Sequence, residues 1–115
     1  MDHYEIWCDI KDSHKDLQFA SDVSAYLGRL KEQGLLERFG LSRRKLGFGP
    51  DSLGEFHVSI AVQDMMQLER LFEVIAARSG EIESLHAKVY SQVVNFKAAL
   101  YRDFPDPQRT STKGA

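Results

Sequence analysis

The chain has 115 residues, enough for one domain with one hydrophobic core, and leaves no room within them for a second catalytic domain. Hydrophobic residues make up 43% and charged residues 28%, ordinary globular usage that excludes a wholly disordered or fibrous chain. With 15 Lys and Arg against 17 Asp and Glu the net charge is −2, so no basic field is available to hold nucleic acid. No apolar run approaches the roughly 18–20 residues that span a bilayer. The start, Met1-Asp2-His3-Tyr4-Glu5, lacks the basic and apolar regions of a signal peptide, so the expected address is cytoplasmic, without a membrane partner. A lone cysteine, Cys8, has no internal disulfide partner and is expected to be a small buried apolar residue.

From His3 to Ile10 the residues alternate, with Tyr4, Ile6, Cys8 and Ile10 in one set and His3, Glu5, Trp7 and Asp9 in the other. That period of two predicts a strand with one apolar face. Asp12 and Ser13 offer helix-capping oxygens, and Phe19, Val23, Tyr26, Leu27 and Leu30 recur at helical spacing until Gly34 closes the segment. Leu36 to Phe48 reads as a second strand whose apolar parity changes between Leu41 and Leu46, which a bulge near Arg43 would reconcile. The Gly- and Pro-rich run from Gly47 to Gly54 is a connector, and Glu55 to Val62 alternates as a third strand antiparallel to the second.

Asp64 caps a second helix carrying Leu68, Leu71, Phe72 and Ile75, with Gly80 as its stop. Ile82, Leu85 and Val89 then predict a short extra helix before a last strand, Val94 to Arg102, although Leu85 to Tyr101 as one long helix would leave only three strands. After Pro105 the apolar pattern ends, which predicts a domain over residues 1–104 and a mobile tail over 105–115. The order β, α, β, β, α, short α, β suits the α+β class: a four-stranded antiparallel sheet with its helices on one face.

Such a sheet leaves its other face bare, and that face collects His3, Glu5, Trp7 and Asp9, then Glu55, His57 and Ser59, then Asn95, Lys97 and Tyr101, with Arg43 or Arg44 joining from the second strand. Histidines, an indole, a phenol and opposed charges are the residue types that line a polar ligand cavity. A bare Trp7 near the middle of a sheet is also a large aromatic surface for a monomer to leave in water. Self-association through this face, with a pocket enclosed, is therefore expected over an open solvated face.

The strand–helix order and half-polar sheet resemble the dimeric α/β-barrel group of ferredoxin-like proteins, in which two sheets meet face to face. More closely, the runs Arg43-Arg44-Lys45-Leu46-Gly47-Phe48-Gly49-Pro50, Gly54-Glu55-Phe56-His57-Val58 and Leu100-Tyr101-Arg102-Asp103-Phe104-Pro105 resemble a family of short uncharacterised bacterial proteins. The resemblance covers residues 2 to 104 and implies a ferredoxin-like βαββαβ fold and a homodimer. It implies no single activity, because the wider group holds cofactor-free monooxygenases, isomerases, haem-degrading enzymes, stress-induced proteins and members without a known reaction.

His57 and His3 are the acid/base candidates, since an imidazole exchanges a proton near neutral pH. Trp7, Tyr101, Arg44, Glu5 and Asn95 are the ligand-binding candidates, Tyr101 through its hydroxyl and Arg44 through its fork of donors. The bland alternatives are a histidine hydrogen-bonded across a dimer and an arginine at its rim. No metal is expected, because His3, Asp9, His57 and His86 show no His-x-His or Cys-x-x-Cys spacing. Gly47-x-Gly49 lacks the Gly-Lys-Ser/Thr ending of a phosphate loop, and Met65-Met66 reads as packing. The leading expectation is a homodimer that binds a small organic ligand in a pocket between the sheet and helices or between the sheets, with the enzyme question open and cofactor-independent monooxygenase or isomerase chemistry as the type the resemblance would supply. A haem-related role has no support beyond the histidines. The rival from a different class is a non-enzymatic module whose polar face serves only for dimerisation or for docking another protein.

Overall fold

A computed structural model describes residues 1–106, so the expected tail lies outside the described residues from position 107 onward. Four strands, β1 (Asp2–Ile10), β2 (Arg38–Arg43), β3 (Phe56–Val62) and β4 (Val93–Arg102), form one sheet in the order β2-β3-β1-β4. All neighbours are antiparallel, with β1 in the middle opposite both β3 and β4. Three helices, α1 (Asp16–Glu32), α2 (Met65–Ala76) and α3 (Gly80–Tyr90), complete the ferredoxin-like order with one added helix.

The helices form because one stripe of each has somewhere to go. Phe19, Val23, Tyr26, Leu27 and Leu30 of α1 are all buried, as their spacing predicts, and meet Ile6, Cys8, Phe56, Val58 and Ile60 from the sheet. Asp12 does not cap α1 directly; its carboxylate accepts from the His14 amide and starts a 3₁₀ turn, Ser13–Lys15, that leads into the helix. At the other end the Leu35 amide donates to the Leu30 carbonyl and the Gly34 amide to Lys31, a two-bond closure that needs the left-handed backbone of Gly34 at φ +75°. Asp64 caps α2 through the Gln67 amide at 2.9 Å. Gln67 itself is buried but satisfied, donating to the Gly34 carbonyl and Glu37 and accepting from the Gln63 amide.

Three expectations change, and the expected last strand stands. Strand β2 ends at Arg43 rather than Phe48, because Leu46 (φ +55°) and Gly47 (φ +72°) turn left-handed and leave the sheet. The parity change there is the end of the strand, not a bulge. The bulge lies on β4 instead, where the register runs from Trp7↔Lys97 to Asp9↔Val94, two steps on β1 against three on β4, with Asn95 left-handed at φ +57°. Helix α2 stops at Ala76, before Gly80, and Gly80 opens α3, whose 11 residues nearly match the 12 of α2. Since α3 ends at Tyr90 and β4 begins at Val93, the last strand is a strand and not the continuation of a helix.

The helix layer stops short of the β4 edge. Phe96 and Leu100, on the parity that faces the helices, stay 45% and 49% exposed, and Phe72 of α2 stays 42% exposed beside them.

Candidate functional site

The opposite face of the sheet carries the polar residues, and register decides which of them meet. Trp7 stands directly opposite His57, Glu5 opposite Ser59, and Ser42 opposite His57 on the other side. The indole and imidazole stack with centroids 5.0 Å apart and planes 8° from parallel. Behind them the Glu5 carboxylate holds His57 Nε2 at 2.9 Å through one oxygen and accepts from the Ser59 hydroxyl at 2.6 Å through the other. Ser42 Oγ approaches His57 Nδ1 at 3.5 Å. Trp7, Glu5 and His57 are half-buried although no helix among the described residues covers them. Ser42 and Ser59 did not stand out in the sequence; their shared parity with His57 was the available signal.

The other candidates go elsewhere. His3 stands opposite Ala61, four residues along β1 from Trp7, which is roughly 13 Å of strand. Its Nε2 lies 2.6 Å from Asp103, which also pairs with the N-terminal amine at 3.2 Å. These contacts, the His3 hydrogen bond foremost, hold the Asp103 carboxyl below the usual aspartate range. His3 and His57 therefore share a face but not a reacting atom. Tyr101 stands opposite His3 and is exposed, and with His3, Glu5 and Trp7 it borders a shallow recess of ≈ 310 Å³.

Arg44 turns its guanidinium inward on the connector and donates to the carbonyls of Pro50 at 2.9 Å and Leu53 at 2.6 Å, so it shapes the loop. Arg43 is held by Glu55 and Asp16 and lies over the Phe56 ring. Asn95 sits in the β4 bulge and donates to Asp9, which also accepts the Glu55 amide at 2.8 Å. The Glu55 amide first and Asn95 second hold the Asp9 carboxyl below its ordinary value. This clamp fixes the connector where Gly54 crosses β1; a Cβ on Gly54 would lie 2.3 Å from the Cys8 carbonyl carbon. A second recess, ≈ 200 Å³, lies between this connector and the Trp7–His57 stack.

On the helix side, an apolar cavity of ≈ 50 Å³ lies between the sheet and all three helices, bordered by Tyr4, Phe72, Tyr90 and Phe96 among others. Tyr4 meets Phe72 edge-on, and Tyr90 meets Phe96 and His86. Burial pushes the Tyr90 hydroxyl up to about 12 and lowers His86, both favouring neutral forms. Burial also pushes the Cys8 thiol up to about 11, which leaves little thiolate for nucleophilic work. Among the described residues no three His, Cys, Asp or Glu side chains are placed to hold a metal, and no helix is long and apolar enough to cross a membrane.

Several solved structures share this fold. The cofactor-independent oxygenase SnoaB from Streptomyces nogalater superposes with a TM-score of 0.66 at 10% identity, over 94% of this chain and 97% of that one. A dimeric ferredoxin-like protein of unknown function from Jannaschia sp. gives 0.65 at 8% identity, over 89% and 98%. A dimeric ferredoxin-like protein of unknown function from Bacteroides fragilis gives 0.62 at 7% identity, over 89% and 95%. No curated protein matches the sequence. A family model described as a family of unknown function, DUF6614, matches residues 1–114, and the chain belongs to that family.

Proposed function

We propose that this protein is a cytoplasmic homodimer whose polar sheet faces meet and enclose a small-molecule site floored by Trp7, His57 and Glu5. The observation that carries the reading is the half-buried Glu5–His57–Trp7 cluster on a face that no helix among the described residues covers. Taking a carboxylate and an imidazole out of bulk water is costly, and a surface kept only for solvation has no need of it. Two of the solved structures sharing the fold are described as dimeric, which supports self-association. SnoaB is described as a cofactor-independent oxygenase, which supports chemistry carried by side chains and substrate alone. Oxygenases and isomerases that work without a cofactor both begin by moving a proton on the substrate, and His57 is the general base here. Tyr101 and His3 line the rim, and residues 1–104 act as one dimerising domain.

Light scattering tests the assembly and a thermal-shift screen of small organic molecules tests the site. We expect twice the monomer mass, and a ligand-induced rise in Tm that His57→Ala removes while the dimer persists. A monomeric mass would sink the proposal. A His57→Ala variant that loses the dimer and no ligand response would favour the non-enzymatic interface.

The helix-side cavity supports a second reading, in which an apolar ligand enters between Phe72 and Phe96. At ≈ 50 Å³ the cavity is about a third of the roughly 150 Å³ in which an engineered cavity holds benzene, so Phe72 must swing out first. A response to an apolar ligand that strengthens in Phe72→Ala, which opens the entrance, and is kept in His57→Ala would select this reading.

A further inference from the structure

We infer that His57 is held with its proton on Nε2, so that Nδ1 is a free acceptor facing the recess beside the connector. That recess then takes a neutral, planar aromatic molecule through an O–H or N–H donor. The inference deepens the polar-face reading and rests on it for the location of the site.

Glu5 decides the tautomer. Both of its oxygens are acceptors, one already engaged by the Ser59 hydroxyl and the other 2.9 Å from His57 Nε2. A neutral imidazole facing a carboxylate must place its single N–H there, which leaves the lone pair on Nδ1. Nδ1 points toward Ser42 at 3.5 Å, too long for a strong bond, and Ser42 itself borders the recess. The nitrogen is therefore oriented and weakly occupied.

The recess determines the rest of the ligand. Its walls are the Trp7 indole, Phe48, Pro50 and Leu53, and its ≈ 200 Å³ exceeds the roughly 150 Å³ in which an engineered cavity holds benzene. Phe48, an apolar ring on the border of the recess, is 82% exposed. Flat rings against an indole favour a planar guest. Arg43 is ion-paired with Glu55 and Asp16, Arg44 directs its Nη2 into loop carbonyls, and the Glu55 carboxylate borders the same recess, which disfavours an anionic guest. A neutral donor is what remains for Nδ1. A proton passed to Nδ1 would leave the ligand as its anion and His57 as an imidazolium balanced by Glu5.

The test uses the full chain with ¹⁵N-labelled histidine at a pH where His57 is neutral. We expect long-range ¹H–¹⁵N spectra to show Nε2 protonated and Nδ1 bare. Phenol should move the Nδ1 resonance and quench Trp7, while anisole, which lacks the donor, binds about fivefold more weakly, the value of one ordinary hydrogen bond. Glu5→Gln, which offers either a carbonyl or an amide N–H, should mix the tautomers. A proton found on Nδ1, a tautomer indifferent to Glu5→Gln, or phenol that leaves His57 unmoved would each overturn the inference. The tautomer is readable in monomer or dimer, so a failure of the dimer proposal is distinguishable from a failure here.

Discussion

The two faces of this sheet are made from alternate residues of the same strands, yet they are organised on opposite principles. On the helix side, Ile6, Cys8, Val58 and Ile60 join the α1 stripe in a dry layer where shape and apolar area set the energy. On the other side, Glu5, Trp7, His57 and Ser59 are one residue away in sequence and are held by directed hydrogen bonds and one aromatic stack. The difference teaches that the first face specifies the fold and the second is free to specify something else.

The comparison breaks most sharply at Phe19 and Trp7, both large aromatics in the same molecule. Phe19 is fully buried and meets Phe56 edge-on at 5.2 Å. Phe19→Ala should cost about 3–5 kcal/mol in urea denaturation. Trp7→Ala should cost about 1 kcal/mol plus a part that varies with protein concentration, as a dimer requires. Equal, concentration-independent losses would make the polar face a second core. Next in size, Gly54→Ala drives a Cβ into the Cys8 backbone and should cost about 3 kcal/mol, since β1 cannot move aside without breaking its pairing and the connector is fastened to it by the Asp9–Glu55 bond.

These contrasts also mark what the sequence can and cannot disclose. The stripe of α1, the alternation of β1 and β3, and Asp64 as a cap are local patterns, and each appears where the pattern puts it. Leu46 and Phe48 misled because they are apolar yet exposed: backbone turning at Leu46 and Gly47, not hydrophobicity, ended β2. The bulge at Asn95 was invisible because it depends on counting residues against β1, a partner 86 positions away in the Asp9–Asn95 contact. The site was legible as a face and not as a cluster. Parity placed His3, Trp7 and His57 together, but only register separates His3 from His57, and only the Asp103 contact shows where His3 is spent.

The smallest effect lies at the clamp that fastens the connector to the polar face. Asp9 is held below its ordinary value of 3.8, chiefly by the Glu55 amide and then by Asn95. A carboxyl whose folded value is lowered contributes its stability in full above the unfolded value and loses it as the pH falls through the folded one. Asp9→Asn keeps an acceptor for the Glu55 amide but removes the charge and sets two side-chain amides against each other. The variant should therefore be less stable by under about 1 kcal/mol at neutral pH, a modest figure because the pair is solvated. That gap should close as the pH drops below the ordinary aspartate value. Asp103, which is protonated over the same range, is common to both proteins, so the difference between their urea midpoints isolates Asp9. A gap constant from pH 7 to 3 would mean that the charge does nothing in the clamp, and that geometry alone keeps the connector wall of the Trp7–His57 recess in place.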